Sequence, residues 1–158
     1  MADAIQHLIR DIRECDLNSD IDIYEICRKE AIEMSRKASW HSKLAKYFDK
    51  RGDNLSKKNH LAIAWKNWED AGILHAKAAQ KILDFKNKDN NEWVLDLHGL
   101  HAREAEDALK ERLSLVEGLK IQKELLVITG IGKLSKGKAI LPNTIRNFLI
   151  QNRIRLAR

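Results

Sequence analysis

The chain has little cysteine, no long apolar run, and almost no acid in its last quarter. Each shortage excludes something. Two cysteines in 158 residues, Cys15 and Cys27, are too few and too widely spaced for a zinc site or a disulfide framework, so both read as reduced thiols on helices. No stretch approaches the ~18 consecutive apolar residues of a membrane span. Met1-Ala2-Asp3-Ala4 lacks the basic start and apolar core of a secretory signal, so the expected compartment is cytoplasmic, with the nucleus as alternative, and no membrane partner is expected. Acid is scarcest in the C-terminal part. Residues 120–158 hold nine Lys and Arg against the single acid Glu124, whereas residues 1–25 hold seven acids against Arg10 and Arg13. The net charge of +6 therefore conceals a balance that runs from acidic to basic along the chain, and a basic patch of that kind suits a phosphate backbone.

What is present divides into a helical front and a mixed back. An acidic segment, residues 1–22, is expected to be helical. Ile23, Ile26, Cys27, Ala31 and Met34 recur at helical spacing, and Trp40, Leu44, Tyr47 and Phe48 continue the stripe. Arg51-Gly52-Asp53-Asn54 breaks it. From about Ser56 a second helix carries Leu61, Trp65, Trp68, Gly72, His75, Ala79, Ile82 and Phe85 on one face, and Lys88-Asp89-Asn90-Asn91 ends it as a polar linker. The expectation is an antiparallel hairpin over residues 23–91 that buries these stripes together. Trp40, Trp65 and Trp68 could stack on bases, but aromatics at helical spacing are more often core, and they are assigned to the core here.

Beyond residue 91 the period changes. Trp93 to Leu97 reads as a strand. His101 to Leu119 reads as a helix with Ala105, Ala108, Leu109, Leu113 and Val116 inward, and Leu125 to Thr129 as a fully buried strand. Strand, helix, strand at this length is a βαβ unit with parallel strands and a right-handed crossover. The only proline, Pro142, suits the first turn of a helix from Ile140 to Asn152, and Arg153-Ile154-Arg155-Leu156 alternates as a short third strand would.

In an open parallel sheet the ligand site lies beyond the carboxyl ends of the strands. Leu95-Asp96-Leu97-His98-Gly99 and Thr129-Gly130-Ile131-Gly132 both fall at that end. Residues two apart in a strand share a face, so Asp96 and His98 should project together as an acid/base pair while Leu95 and Leu97 enter the core. The glycines admit a phosphate close to backbone N–H groups, and Lys133, Lys136 and Lys138 add positive charge. Gly132 to Lys138 also fits G-x-x-x-x-G-K, but Ala139 stands where a nucleotide-hydrolase loop needs a hydroxyl for magnesium. His98, His101 and Asp96 make a metal set without a third imidazole nearby, and His101 serves more simply as the polar residue that starts the following helix. Taken as residues alone, Asp96 as a turn cap and His98 as a satisfied structural side chain remain a competing account.

At these residues the sequence resembles the Smr (small MutS-related) domain, whose hallmarks are an L-D-x-H-G start and a later T-G-x-G-x-H-S loop. The first stands as Leu95 to Gly99, followed by Glu104-Ala105; the second stands as Thr129-Gly130-Ile131-Gly132-Lys133-Leu134-Ser135, with leucine where the family usually has histidine. The helical front is similar to the module that often precedes Smr in eukaryotic proteins, with Arg28, Ala31, Arg51-Gly52-Asp53, Ala62, Gly72 and His75 at the matching places. The resemblance covers about residues 24–152.

It implies an α/β fold in which a helical hairpin precedes a βαβαβ-type two-layer sandwich over residues 92–158, here one closing strand short. It also implies an RNA endonuclease, with some relatives acting on messenger RNA at stalled or collided ribosomes and others nicking DNA or only binding. Asp96 and His98 would be the catalytic acid and imidazole. Gly99, His101, Thr129, Gly130, Gly132, Lys133, Ser135, Lys136 and Lys138 would meet the phosphate backbone. The expected partners are RNA, with DNA as alternative, the ribosome, and a protein on the helical module; the scheme calls for no cofactor and no metal. The alternative function is a catalytically inactive adaptor that binds RNA or the ribosome.

Overall fold

The computed structural model describes residues 20–130 and 140–152. Most of the acidic segment 1–22, the glycine-rich stretch from Ile131, and the alternating tail from Arg153 lie outside the described residues. The element order is α1 (Asp20–Lys50), α2 (Asn54–Lys86), β1 (Val94–Asp96), α3 (Ala102–Glu117), β2 (Leu126–Ile128) and α4 (Ile140–Gln151). The chain divides into two compact units, Tyr24–Ala78 and a second built mainly from Ala79 onward. Among the described residues no helix is long and apolar enough to cross a membrane.

In the first unit, α1 and α2 form the expected hairpin. The break between them is a glycine-capped helix end: the Gly52 N–H reaches the Asp49 carbonyl (3.1 Å), the Asp53 N–H reaches the Phe48 carbonyl (3.0 Å), and Gly52 takes φ +75°, the left-handed conformation such an ending needs. Asp53 then caps α2, accepting the Ser56 N–H at 3.0 Å and the Ser56 hydroxyl at 2.7 Å. The Ser56 backbone bond, with its hydroxyl next, holds the Asp53 carboxyl below its ordinary range. A depressed native pKa means that this cap acts in full above the unfolded carboxylate pKa and is lost as pH falls through the native one.

The helices meet only in part through the predicted stripes: Ile23 and Ala31 of α1 and Ile82 of α2 are buried, but the large aromatic residues are not. The buried line is Tyr24, Ala31, Ala38 and Ala45 on α1 and Ala64, Ala71 and Ala78 on α2, each seven residues from the next. The Arg28–His75 hydrogen bond (3.1 Å) and the His41–His60 contact (3.0 Å) set a register in which Ala38 falls opposite Ala64 and Ala31 opposite Ala71. Small side chains there let the helices approach closely and gain dispersion contacts along their length, and a seam that tight has no room for indole. The tryptophans are displaced outward: Trp40 is 61% exposed, Trp65 65% and Trp68 41%, with Tyr47 at 46% and Ile26 at 43%. Their expected place in the core is thus overturned. Ala64→Leu should lower hairpin stability by about 1–3 kcal/mol through overpacking, whereas Trp65→Ala, one residue along, should stay within about 0.5 kcal/mol. Urea unfolding of both variants measures this, and equal losses would contradict the alanine seam.

The second unit is the α/β part. β1 and β2 pair in parallel with Val94 beside Leu126, Leu95 beside Val127 and Asp96 beside Ile128, joined through α3 as a βαβ unit. Leu95 and Leu97 are buried, together with Ala105, Ala108, Leu109 and Val116 of α3 and Leu141, Ile145, Phe148 and Leu149 of α4, and the two helices pack on each other. Among the described residues the sheet has two strands. β2 is not the fully buried strand its composition predicts, since Leu126 and Ile128 are exposed while Val127 is half-buried. In the observed register Val127 shares the covered face with Leu95, whereas Leu126 and Ile128 share the opposite face with Val94 and Asp96. A run of apolar residues buries on both faces only if helices cover both. The third strand expected from Arg153 lies outside the described residues.

Candidate active site

The site grows from the carboxyl end of β1. Leu97 extends the ladder by one hydrogen bond to the Ile128 carbonyl (2.8 Å), and the Leu100 N–H then closes a turn on the Leu97 carbonyl (3.2 Å). Gly99 sits in that turn at φ +85°, the left-handed third position that a type II turn gives to glycine. The turn brings the His98 ring back over Asp96. One carboxylate oxygen, Oδ1, accepts the His98 backbone N–H at 3.1 Å and pairs with the ring at Nδ1. Both side chains are largely shielded, and the far ring nitrogen, Nε2, is buried. A carboxylate on Nδ1 fixes the neutral ring with its proton on that nitrogen and leaves Nε2 as the acceptor.

At the end of β2 the chain passes directly over this pair. Gly130 has φ +80°, and a Cβ added there would lie 2.9 Å from His98 Cβ, closer than two such atoms approach without displacement. Only glycine allows the loop to lie so near the imidazole. The neighbouring strand ends thus bring Asp96, His98, Gly99 and Gly130 together, as the parallel topology requires, with Thr129 half-buried beside Gly130. His101 is exposed at the start of α3, where its backbone N–H is held by the Glu104 carboxylate at 2.9 Å, a helix-capping arrangement. Gly132, Lys133, Ser135, Lys136 and Lys138 lie outside the described residues.

Two residues support the pair without any sign in the motif. Asn87, just past α2, clamps the backbone of Asp96 at both polar atoms: its Oδ1 accepts the Asp96 N–H at 2.7 Å, and its Nδ2 donates to the Asp96 carbonyl at 2.9 Å and to the Leu83 carbonyl at 2.9 Å. Arg112 of α3 donates to the Glu92 and Val94 carbonyls (3.0 and 3.1 Å), fixing the approach to β1. Sequence reading places Asn87 next to an unremarkable polar linker, and nothing in its spacing points to Asp96. In Asn87→Ala the Asp96 amide should exchange with deuterium at least about tenfold faster, because it loses its acceptor while the global fold persists. Unchanged protection of that amide would show that Asn87 does not hold it.

An α/β domain with an acid–imidazole pair at one strand end and a glycine loop at the next is the class defined by these elements. Residues 95–157 match the family model of the Smr domain. The two long helices before it are consistent with the helical module that the sequence resembles. No curated protein and no solved structure matches the chain.

Proposed function

We propose that the protein is an endonuclease that cleaves RNA, with Asp96 and His98 as the catalytic pair. The observation that carries this reading is the double use of Asp96 Oδ1, which holds both the backbone and the ring of His98 beneath the close-packed Gly130. His98 Nε2 takes the proton of a ribose 2′-hydroxyl, and the 2′-oxygen forms a bond to the adjacent phosphorus. The bond to the 5′-oxygen breaks, and that oxygen takes a proton from solvent. Asp96 keeps the ring in the required tautomer and stabilises the imidazolium that forms. Charge developing on the phosphate is met by amides of the glycine loop and by Lys133, Lys136 and Lys138. Because Nε2 is buried, the substrate must uncover it on binding. Contacts of this kind read phosphates, so weak base preference is expected. Messenger RNA on stalled ribosomes is the substrate setting that the Smr resemblance favours.

A second reading, a binding module that docks on RNA or the ribosome without cutting, draws on the same burial of Nε2 and on Leu134 in the loop. Incubation of end-labelled single-stranded RNA with the protein in EDTA separates the two. Fragments ending in a 2′,3′-cyclic phosphate support the endonuclease; intact RNA that is nevertheless retarded on a gel supports the binding module. Replacing Lys133, Lys136 and Lys138 by Gln should weaken RNA binding at low salt under both readings.

A further inference from the structure

From the outer face of the hairpin we infer a second RNA contact, a stacking and phosphate-binding track along α1 for single-stranded RNA. It rests on the RNA reading above but on different residues. Expelled from the alanine seam, Trp40 and Tyr47 fall on the far side of α1, and they alternate with cations in the order Arg36, Trp40, Lys43, Tyr47. At 3.6 residues per turn these four lie within an arc of about 60° and span about 16 Å. Arg51, just past the helix, continues the alternation, its guanidinium 4.5 Å from the centre of the Tyr47 ring. All five side chains are exposed.

Beside this track the structure has an open groove of about 430 Å³, lined by Ile32, Ser35, Arg36, Ser39, Trp40 and Lys43 of α1 with His75 of α2 at its side. Its surface is more apolar than polar, with Ile32 and the Trp40 indole offering faces for bases, while two hydroxyls and the Arg36 and Lys43 cations can meet anionic oxygens and His75 is tied to Arg28 through Nδ1. The surroundings have the matching sign: residues 35–66 hold nine Lys and Arg against Asp49 and Asp53 alone.

A single strand presents bases and phosphates in alternation, which is the order of the aromatic and cationic groups here. Stacking on aromatics tolerates any base, and Arg and Lys meet the backbone. A duplex keeps its bases stacked inside and cannot use Trp40 or Tyr47, so the track selects single strands. An acidic peptide would satisfy the cations but would leave the aromatic faces without a partner of their own kind.

The test is the affinity of the full chain for a 12-nucleotide single-stranded oligouridine, and for an RNA duplex of similar length, in parent, Trp40→Ala/Tyr47→Ala and Arg36→Gln/Lys43→Gln/Arg51→Gln forms, with EDTA present and His98→Ala in every background to prevent turnover. Loss of the two aromatic faces should weaken single-strand binding by about tenfold or more while duplex binding changes little. Loss of the three cations should lower the slope of log K against log salt by about 2. The substituted side chains are exposed, so circular dichroism and thermal midpoints should match the parent. If the folded Trp40→Ala/Tyr47→Ala protein binds the single strand as the parent does, the track is wrong and the cleavage reading stands. If the parent binds neither RNA, both fail together.

Discussion

His98→Ala should abolish RNA cleavage while leaving RNA affinity within about twofold of the parent. A general base that removes the 2′-hydroxyl proton contributes about 10²–10⁴ in rate, and the nearby His101 imidazole lies against the Glu104 carboxylate at the start of α3 and not over Asp96, so the loss should reach the upper part of that range. Binding should be spared because the contacts proposed for it are loop amides and lysines instead of the ring. Folding is also spared, since Asp96 keeps its hydrogen bond to the backbone N–H of residue 98 and Asn87 still holds both polar atoms of the Asp96 peptide. Asp96→Asn should fall short of His98→Ala in severity: an amide retains the shape of the carboxylate but cannot stabilise the imidazolium, and it fixes the tautomer less firmly. Single-turnover cleavage of labelled RNA measures both. His98→Ala cutting at the parent rate would remove the assigned mechanism.

The second large effect falls on Gly130. Gly130→Ala forces a Cβ into a left-handed backbone position, at a cost of about 1–2 kcal/mol, and sets it 2.9 Å from His98 Cβ, where relief requires the loop or the imidazole to move. Overpacking of a formed contact adds about 1–3 kcal/mol. Either movement takes the imidazole off its alignment, and misplacement by about 1 Å can cost about a hundredfold in rate. The expected result is a protein with a reduced thermal midpoint and cleavage reduced by about tenfold or more. Gly72→Ala is the matched comparison, because a Cβ there meets nothing within 4 Å and helical Ala is favoured over Gly by about 1 kcal/mol. It should raise stability and leave cleavage unchanged. A Gly130→Ala protein as stable and as active as the parent would mean that the loop does not lie against His98.

What could be read from the residues, and what could not, follows from the range of the interactions involved. The βαβ unit was legible because its signals are local: the apolar residues around Leu95 and Val127, the helical period of Ala105, Leu109 and Val116, and the glycine turn after His98. Its topology then placed Asp96 and the Gly130 loop at one end without any further information. The hairpin was legible as two helices but not in its packing. Pattern reading weights bulk, so Trp40, Trp65 and Trp68 drew the predicted face toward themselves, while the seven-residue alanine repeat that sets the contact has almost no hydropathy contrast. β2 misled in the same way, since Leu126 and Val127 have the same composition on opposite faces and only the sheet's cover decides which is buried. Asn87 was illegible for a different reason. Its bonds join the end of one helix to a strand residue nine positions away, through backbone atoms that any residue at 96 would present.

Cleavage as proposed begins with a proton taken from a ribose hydroxyl by His98, and one substrate isolates that step. A labelled oligodeoxynucleotide carrying a single ribonucleotide offers one 2′-hydroxyl in a chain of otherwise equal phosphates. Incubated with the protein, it should be cut only on the 3′ side of that ribonucleotide, leaving a 2′,3′-cyclic phosphate, and should remain intact with His98→Ala. Cleavage at deoxynucleotide linkages, or at the ribonucleotide in the variant at the parent rate, would contradict it.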